Sequence, residues 1–518
     1  MNLHLMDYIV LALYVLLIAG IGLWVARRGN NVSGYFLAGR RMPTWVVAFT
    51  LMATFIGSGT FIGHPATVYQ KGMILLLGHL ILPVVLVLVA IFVIPFYRRV
   101  VEMSAYEYLG KRFGFGGRIY ASFGFLADRV FDLGVTLLTT AIPIKFVTGW
   151  DLTWVILAIG LFTAMYTMIG GIEAVVWTDV AQGILLILGA LVVLARLLFA
   201  TDVGPPGAVV TEAWNQGKFN LGSFELSWSS LFNTEMTTQW LLLAAITTGW
   251  ARRYVCDQHM VQRYLIAGSD RQAARGVMVN AAMCVPIYIT FMFIGACLYG
   301  YYSLSVGPKP DIADNVMPYF IVNQLPSGII GLIVAAVLAA SMSSISADLN
   351  SVATVLTSDY FSTFLPLSSD KARVMFGRLM VIVGGTTAAL IAWAMIPDRS
   401  SASILERGVI IASILSGGVL GLFLLGFLTQ RATRRGCYIG IAVCAAYTTW
   451  GICTEPTHRM IDFGLNFPFN PILIGVFGHI VLFTVGYVAS LIFGGYRPEN
   501  VERLTIRSLR LAALRNDE

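Results

Sequence analysis

The sequence predicts an all-α polytopic membrane protein. Of its 518 residues, 57% are apolar and only 12% are charged. Apolar runs of about 20 residues recur from end to end, each able to cross a hydrocarbon core about 30 Å thick. A soluble protein carries roughly 25% charged residues, and one soluble core has no use for so many long runs. A third observation points to the kind of membrane protein: two of the runs are interrupted in their middles by small and hydroxylated residues.

The runs read as about thirteen spans, at roughly 6–26, 43–70, 72–96, 117–147, 151–170, 174–199, 236–252, 276–301, 326–350, 374–396, 408–428, 436–453 and 469–494. No basic stretch precedes the first and no small-residue cleavage site follows it, so it reads as a span and not a cleaved leader. The second contains Gly57-Ser58-Gly59, within "LMATFIGSGTFIGHP" at 51–65. Glycine weakens helices and buried hydroxyls need partners, so a lipid-facing helix gains nothing from such a run. The seventh span, five further on, is short and carries Thr247-Thr248-Gly249, a second expected interruption. Interrupted helices at matching positions of two halves mark an inverted-repeat transporter, whose unwound backbone lines a site near the midplane. The plainer reading of each is close helix packing through small residues.

Other spans carry polar groups that need explaining. Asp128, Arg129 and Asp132 lie about a turn apart in the fourth, and Asp179 sits inside the sixth, where an unpartnered carboxylate is costly. The six cysteines have no metal-site spacing and lie mostly in spans, so they read as small packing residues. The longest segment outside the spans, 201–235, contains Gly-Pro-Pro-Gly at 204–207.

Orientation follows from the basic loops. Arg27, Arg28, Arg40 and Arg41 follow the first span; Arg98, Arg99, Lys111 and Arg112 follow the third. Arg252, Arg253, Arg263, Arg271 and Arg275 follow the seventh, Arg431, Arg434 and Arg435 the eleventh, and the tail holds Arg497, Arg503, Arg507, Arg510 and Arg515. All fall on one side, expected to be cytoplasmic, with the N-terminus outside the cell (inner) membrane and the C-terminus inside. The net charge of +7 is accounted for by loops facing anionic lipid and requires no nucleic acid.

Four blocks, "SGYFLAGRRMP" (33–43), "GGIEAVVWTDVAQG" (170–183), "DQHMVQRYLIAGSDRQAARG" (257–276) and "AASMSSISADLNSVATVLTSDYF" (339–361), resemble the sodium/solute symporter family. That family includes sodium/glucose, proline, pantothenate, monocarboxylate and sialic acid cotransporters. The resemblance runs over about residues 5–430. It implies a LeuT-type 5+5 inverted repeat. The core would span 43–428, with 6–26 an extra N-terminal helix, 436–494 two peripheral helices and 495–518 a cytoplasmic tail. It also implies sodium as the coupling ion, a small organic solute as the cargo, and a chain expected to work in the bilayer as a monomer.

The resemblance places the family's common sodium site on the carbonyls of Ala53 and Ile56 and on Ala340, Ser343 and Ser344. Oxygen ligands suit a hard cation, and carbonyls just before a helix break lose their helical donors. A second sodium, bound by some members, would use Asp179 with Ser343 and Ser346, although Ala347 stands where the family has a serine. Asp179 neutralised by a hydroxyl or a basic residue is the competing reading. Asp348 could hold the serine cluster by hydrogen bonds.

For the solute, Phe55, Gly59 and Thr60 stand where sugar-transporting members carry polar groups, and those members' lysine is missing around Cys284. Gly63-x-Pro65-x-x-x-Tyr69 is closer to the pantothenate, proline and monocarboxylate branches. The expectation is a carboxylate-bearing solute, with a sugar, polyol or sialic acid as the alternative. Candidate solute residues are Thr54, Thr60, Tyr69, His79, Asp132, Tyr254 and Gln258. Arg129 or Asp132 faces the solute, or the two pair at i,i+3; His79 is equally a satisfied core histidine, and His479 reads as peripheral packing. No phosphate-binding loop, catalytic cluster or filter motif is visible, and no kinase domain follows the last span. An ATP-driven pump, an enzyme, a channel and a sensor are thereby disfavoured.

Overall fold

The computed structural model describes residues 3–26, 31–226, 228–232, 238–396, 417–456, 459–462 and 464–507. Among these it is helical, apart from loops and one isolated bridge between Met42 and Ala267. Nine of the described helices are long and apolar enough to cross a membrane, or ten if one bent pair counts as a span. They follow the expected spans in order: α1 (Leu5–Ala26), α2 (Thr44–Phe55, continuing after a break as Gly59–Lys71), α3 (Leu76–Val100) and α4 (Phe115–Thr148). A 47-residue helical stretch, Leu152–Leu198, follows. A straight helix of that length would extend about 70 Å, far beyond the bilayer core. It bends at Gly171, where φ is 58° and ψ −153°, giving α5 (152–170) and α6 (172–198). A side chain there would run into the carbonyl of Tyr35, so both shape and space demand glycine.

The second half continues with α7 (Gln239–Cys256), α8 (Asp270–Leu304), α9 (Ile329–Phe364) and α10 (Asp370–Ala394). Then come α11 (Val419–Leu428), α12 (Arg434–Thr454) and α13 (Leu473–Phe493). Residues 408–416 of the expected eleventh span lie outside the described residues, as do Arg27, Arg28, Arg510, Arg515 and parts of the 201–235 segment.

Two expectations about the elements are corrected. First, α7 is continuous through Thr247-Thr248-Gly249. One glycine costs a helix only about 1 kcal/mol, and the Thr248 hydroxyl folds back onto the Ala244 carbonyl at 2.7 Å. The chain leaves helical geometry later, at Asp257 (ψ 127°), before a wholly buried helix Gln258–Leu265. Second, Arg252, Arg253 and Arg263 are not loop charges facing lipid headgroups. Arg263 is fully buried, and the other two are half-buried in the protein interior.

The break in α2 is present. The helix ends at Phe55, Ile56 takes φ −90° and ψ 79°, and the continuation departs by 61°. Glycine is needed at 57 for space and not for a left-handed backbone, since neither Gly57 nor Gly59 has positive φ. A Cβ on Gly57 would sit 3.0 Å from the Ser344 hydroxyl. Small residues on α8 let it press against both halves of α2: a Cβ on Gly276 would meet Val47 at 2.9 Å, and one on Gly295 would meet Pro65 at 2.6 Å. At the start of α9, the Asp7 carboxylate of α1 accepts hydrogen bonds from the amides of Gly328 and Gly331, both at 2.7 Å. It thus caps another helix's exposed donors.

Candidate cation cluster and solute cavity

The α2 break and the middle of α9 meet at one cluster of oxygens. The Ser343 hydroxyl donates to the Ala53 carbonyl at 2.8 Å and lies 3.0 Å from the Ala340 carbonyl. The Ser344 hydroxyl reaches the Thr54 carbonyl at 3.0 Å and the Ala340 carbonyl at 3.4 Å. Ala53, Ile56, Ala340 and Ser343 are buried. Ile56 is the residue whose backbone leaves the helix. This arrangement gathers neutral oxygens, a donor set fit for a monovalent hard cation.

Asp179 lies deeper, fully buried. One of its oxygens accepts from the Thr50 hydroxyl at 2.5 Å and from Arg263 at 3.1 Å. Arg263 is also tied to the His259 carbonyl at 2.7 Å. The other Asp179 oxygen, Oδ1, has no hydrogen-bond partner among the described residues. Ser346 donates to the Ser343 carbonyl at 3.1 Å, one turn from the cluster. Asp348 does not join the serines: it faces Arg129 at 3.5 Å and His259 at 3.6 Å.

A cavity of about 510 Å³ adjoins the cluster. Gly57, Ser58, Gly59 and Thr60 form its floor, and α4 supplies Arg129, Asp132, Thr136 and Thr139. Arg253, His259, Ser344, Asp348, Asp314 and Asn315 also line it. Ser344 therefore belongs to both the oxygen cluster and the cavity. Arg129 contacts three carboxylates, Asp128 at 2.7 Å, Asp132 at 3.0 Å and Asp348 at 3.5 Å. The i,i+3 pair and the cavity-facing position of Asp132 thus coexist.

Of the candidate solute residues, Thr54, Thr60 and Asp132 line this cavity. Four do not. Gln258 is buried and clamps the Ala105 amide (2.8 Å) and the Met103 carbonyl (2.7 Å). Tyr254 is buried behind Phe55, its hydroxyl accepting from Asn280 at 2.9 Å. His79 stacks on Tyr288 with ring centroids 4.0 Å apart, and its Nε2 lies 3.0 Å from that of His64. Tyr69 packs against Tyr299, away from the cavity. Sequence reading passed over Thr136, Thr139 and Arg253; the first two lie on the helical repeat of Asp132, which could have signalled them. His479 is buried against α11, where the Gly421 position leaves no room for a side chain beside its carbonyl.

The model of the Sodium:solute symporter family matches residues 35–444. The chain is 30% identical over 492 residues to the sodium/sialic acid symporter NanT of Aliivibrio fischeri, covering 94% of this chain and 93% of that one. It is 32% identical over 441 residues to the sodium/sialic acid symporter SiaT of Proteus mirabilis, covering 84% and 87%. Among solved structures, a substrate-bound, outward-open Na+-coupled sialic acid symporter, which revealed a novel Na+ site, aligns with a TM-score of 0.83 at 28% identity, covering 95% of this chain and 99% of that one.

Proposed function

This chain belongs to the sodium:solute symporter family, and from that premise we propose that it carries an acidic sugar of the sialic acid class inward together with sodium. The family membership makes it an integral membrane transporter coupled to sodium and not an enzyme. The observation that carries the coupling is Ser344, whose hydroxyl completes the oxygen cluster while its side chain lines the solute cavity. Sodium held by the carbonyls of Ala53, Ile56 and Ala340 and the hydroxyls of Ser343 and Ser344 would fix the α2 break against α9. That contact forms one wall of the cavity, so cation and solute stabilise the same arrangement.

The choice of solute departs from the expectation of a simple carboxylate. The first core helix is poor in polar groups, but the cavity finds them elsewhere. Asp132, Thr136, Thr139 and Asn315 supply acceptors and donors for a polyhydroxylated ligand, and about 510 Å³ suits one. The relatives' solute points the same way. Asp179 with Ser346 would hold a second sodium: its Oδ1 lacks a partner among the described residues, and Arg263 shares the other oxygen. In the cell membrane, the side carrying Asp314 and Asn315 faces outside, and the end carrying Arg98, Arg99 and Lys111 faces the cytoplasm.

Uptake into proteoliposomes tests the reading. An inward sodium gradient is expected to drive accumulation of N-acetylneuraminate above equilibrium, and replacing sodium with potassium is expected to abolish it. Sodium-driven uptake of lactate or pantothenate without N-acetylneuraminate would overturn the choice of solute.

A further inference from the structure

Arg129 and Arg253 line the cavity, Arg252 adjoins Arg253 in sequence, and the three are held differently. Arg129 is in contact with three carboxylates. Arg252 turns back to Asp128 at 3.4 Å. Arg253 lines the cavity but is in salt-bridge or hydrogen-bond contact with no side chain among the described residues. Its guanidinium lies over the ring of Phe55, 5.6 Å from the centroid. Phe55 is itself fixed by Trp250 (5.4 Å) and Tyr254 (4.9 Å). Stacking on an aromatic face leaves the in-plane N–H donors of a guanidinium available.

An arginine inside the helix bundle with no acid in salt-bridge contact among the described residues is costly unless a ligand or water completes it. The ring platform fixes its plane, and a planar fork matches a carboxylate with two parallel hydrogen bonds. We infer that Arg253 receives the carboxylate of the transported solute and makes this a site selective for acids. The role rests on the reading of the solute as an acidic sugar. Asp132, whose side chain is 41% exposed, and Asp348, tied to Arg129, would repel a carboxylate but accept hydroxyl hydrogens. The ligand is thereby oriented with its acid group toward α7 and its hydroxyls toward α4 and α9.

The test compares acids with their methyl esters on the purified full-length protein in sodium. N-acetylneuraminate, lactate and pantothenate are each titrated beside the ester by calorimetry, in the wild type and in Arg253→Gln and Arg253→Lys. The wild type is expected to bind its preferred acid about 10- to 100-fold tighter than the ester, as a charged hydrogen-bonded contact allows. Arg253→Gln is expected to lower the acid's affinity to that of the ester while leaving ester binding unchanged. Arg253→Lys, which keeps the charge but loses the fork, is expected to fall between. Thermal stabilisation by sodium alone reports that each variant is folded with its cation cluster intact. An acid-to-ester ratio unchanged in either folded variant overturns the inference, as does a wild type that prefers none of the acids to its ester. If the preferred acid is lactate or pantothenate and Arg253→Gln erases that preference, Arg253 keeps its role and the sialic acid reading falls.

Discussion

At the scale of single residues, the buried Asp179–Arg263 pair bears on the proposed second sodium. Both side chains are fully buried and 3.1 Å apart. Breaking such a pair by removing one charge costs about 3–5 kcal/mol, so Asp179→Asn is expected to lower thermal stability measurably. If Asp179 also binds a second cation through its unpartnered Oδ1, the charge moved per solute in vesicles is expected to fall in the surviving folded protein. A fall in stability with an unchanged charge-to-solute ratio would make Asp179 purely structural. The sequence showed that Asp179 needed a partner but not which one. Arg263 lies 84 residues away, among arginines that counted equally well as cytoplasmic loop charge. Arg253 was obscured in the same way: a basic residue near a span end is read by its sequence neighbourhood, and only the tertiary fold turns it toward a cavity.

At the scale of elements, the two interruptions behaved differently for a physical reason. At the α2 break, the Gly57 position faces another helix's oxygen cluster, where a methyl would be crowded against the Ser344 hydroxyl. Thr247-Thr248-Gly249 does not break α7, because Gly249 has open space around it and Thr248 bonds within its own helix. Composition alone does not separate these cases; the neighbour does. The two glycines of the α2 break also have separate tasks. Gly57→Ala would place a methyl 3.0 Å from the Ser344 hydroxyl and 3.6 Å from the Ala340 carbonyl. Its helix-favouring effect of about 1 kcal/mol adds roughly fivefold against the broken form, so sodium half-saturation is expected to rise by at least that factor. At Gly59 a methyl would meet nothing within 4 Å, yet the residue lines the cavity. Gly59→Ala is therefore expected to weaken solute binding while sparing sodium activation. Equal effects of the two substitutions on sodium, measured alongside surface abundance, would contradict this division.

At the scale of the whole molecule, the solute cavity meets α9 at Ser344 and Asp348, and a buried polar contact lies further along the same helix at Asp359. Near the C-terminal end of α9, Arg118 meets the fully buried Asp359 at 2.6 Å. Ser104 donates to the other Asp359 oxygen at 2.6 Å, and Ser358 donates to Glu107 at 2.8 Å. These contacts tie the end of α9 to the start of α4 and to the helix Ala105–Phe113. Alternating access requires that they separate. Asp359→Asn is expected to raise the inward-open population, so that a cysteine at Thr139 labels more slowly and one at the buried Thr357 more quickly. Unchanged labelling at both would mean that this contact does not hold the closed end. The helix order and the break between the fifth and sixth spans, found at Gly171, were legible in the sequence because bilayer thickness dictates run length; the continuity of α7 emerged only from packing.

The central claim is that sodium and solute share one structural element, the α2 break docked on Ser344. Linkage requires that each raise the other's affinity by the same factor, commonly about 5- to 150-fold. The most direct measurement is the solute dissociation constant of purified protein across a sodium titration, in the wild type and in Ser344→Ala. The account predicts a strong sodium dependence in the wild type and its collapse toward a factor of one in Ser344→Ala, with solute affinity in the absence of sodium little changed. An undiminished sodium dependence in the folded variant would contradict it.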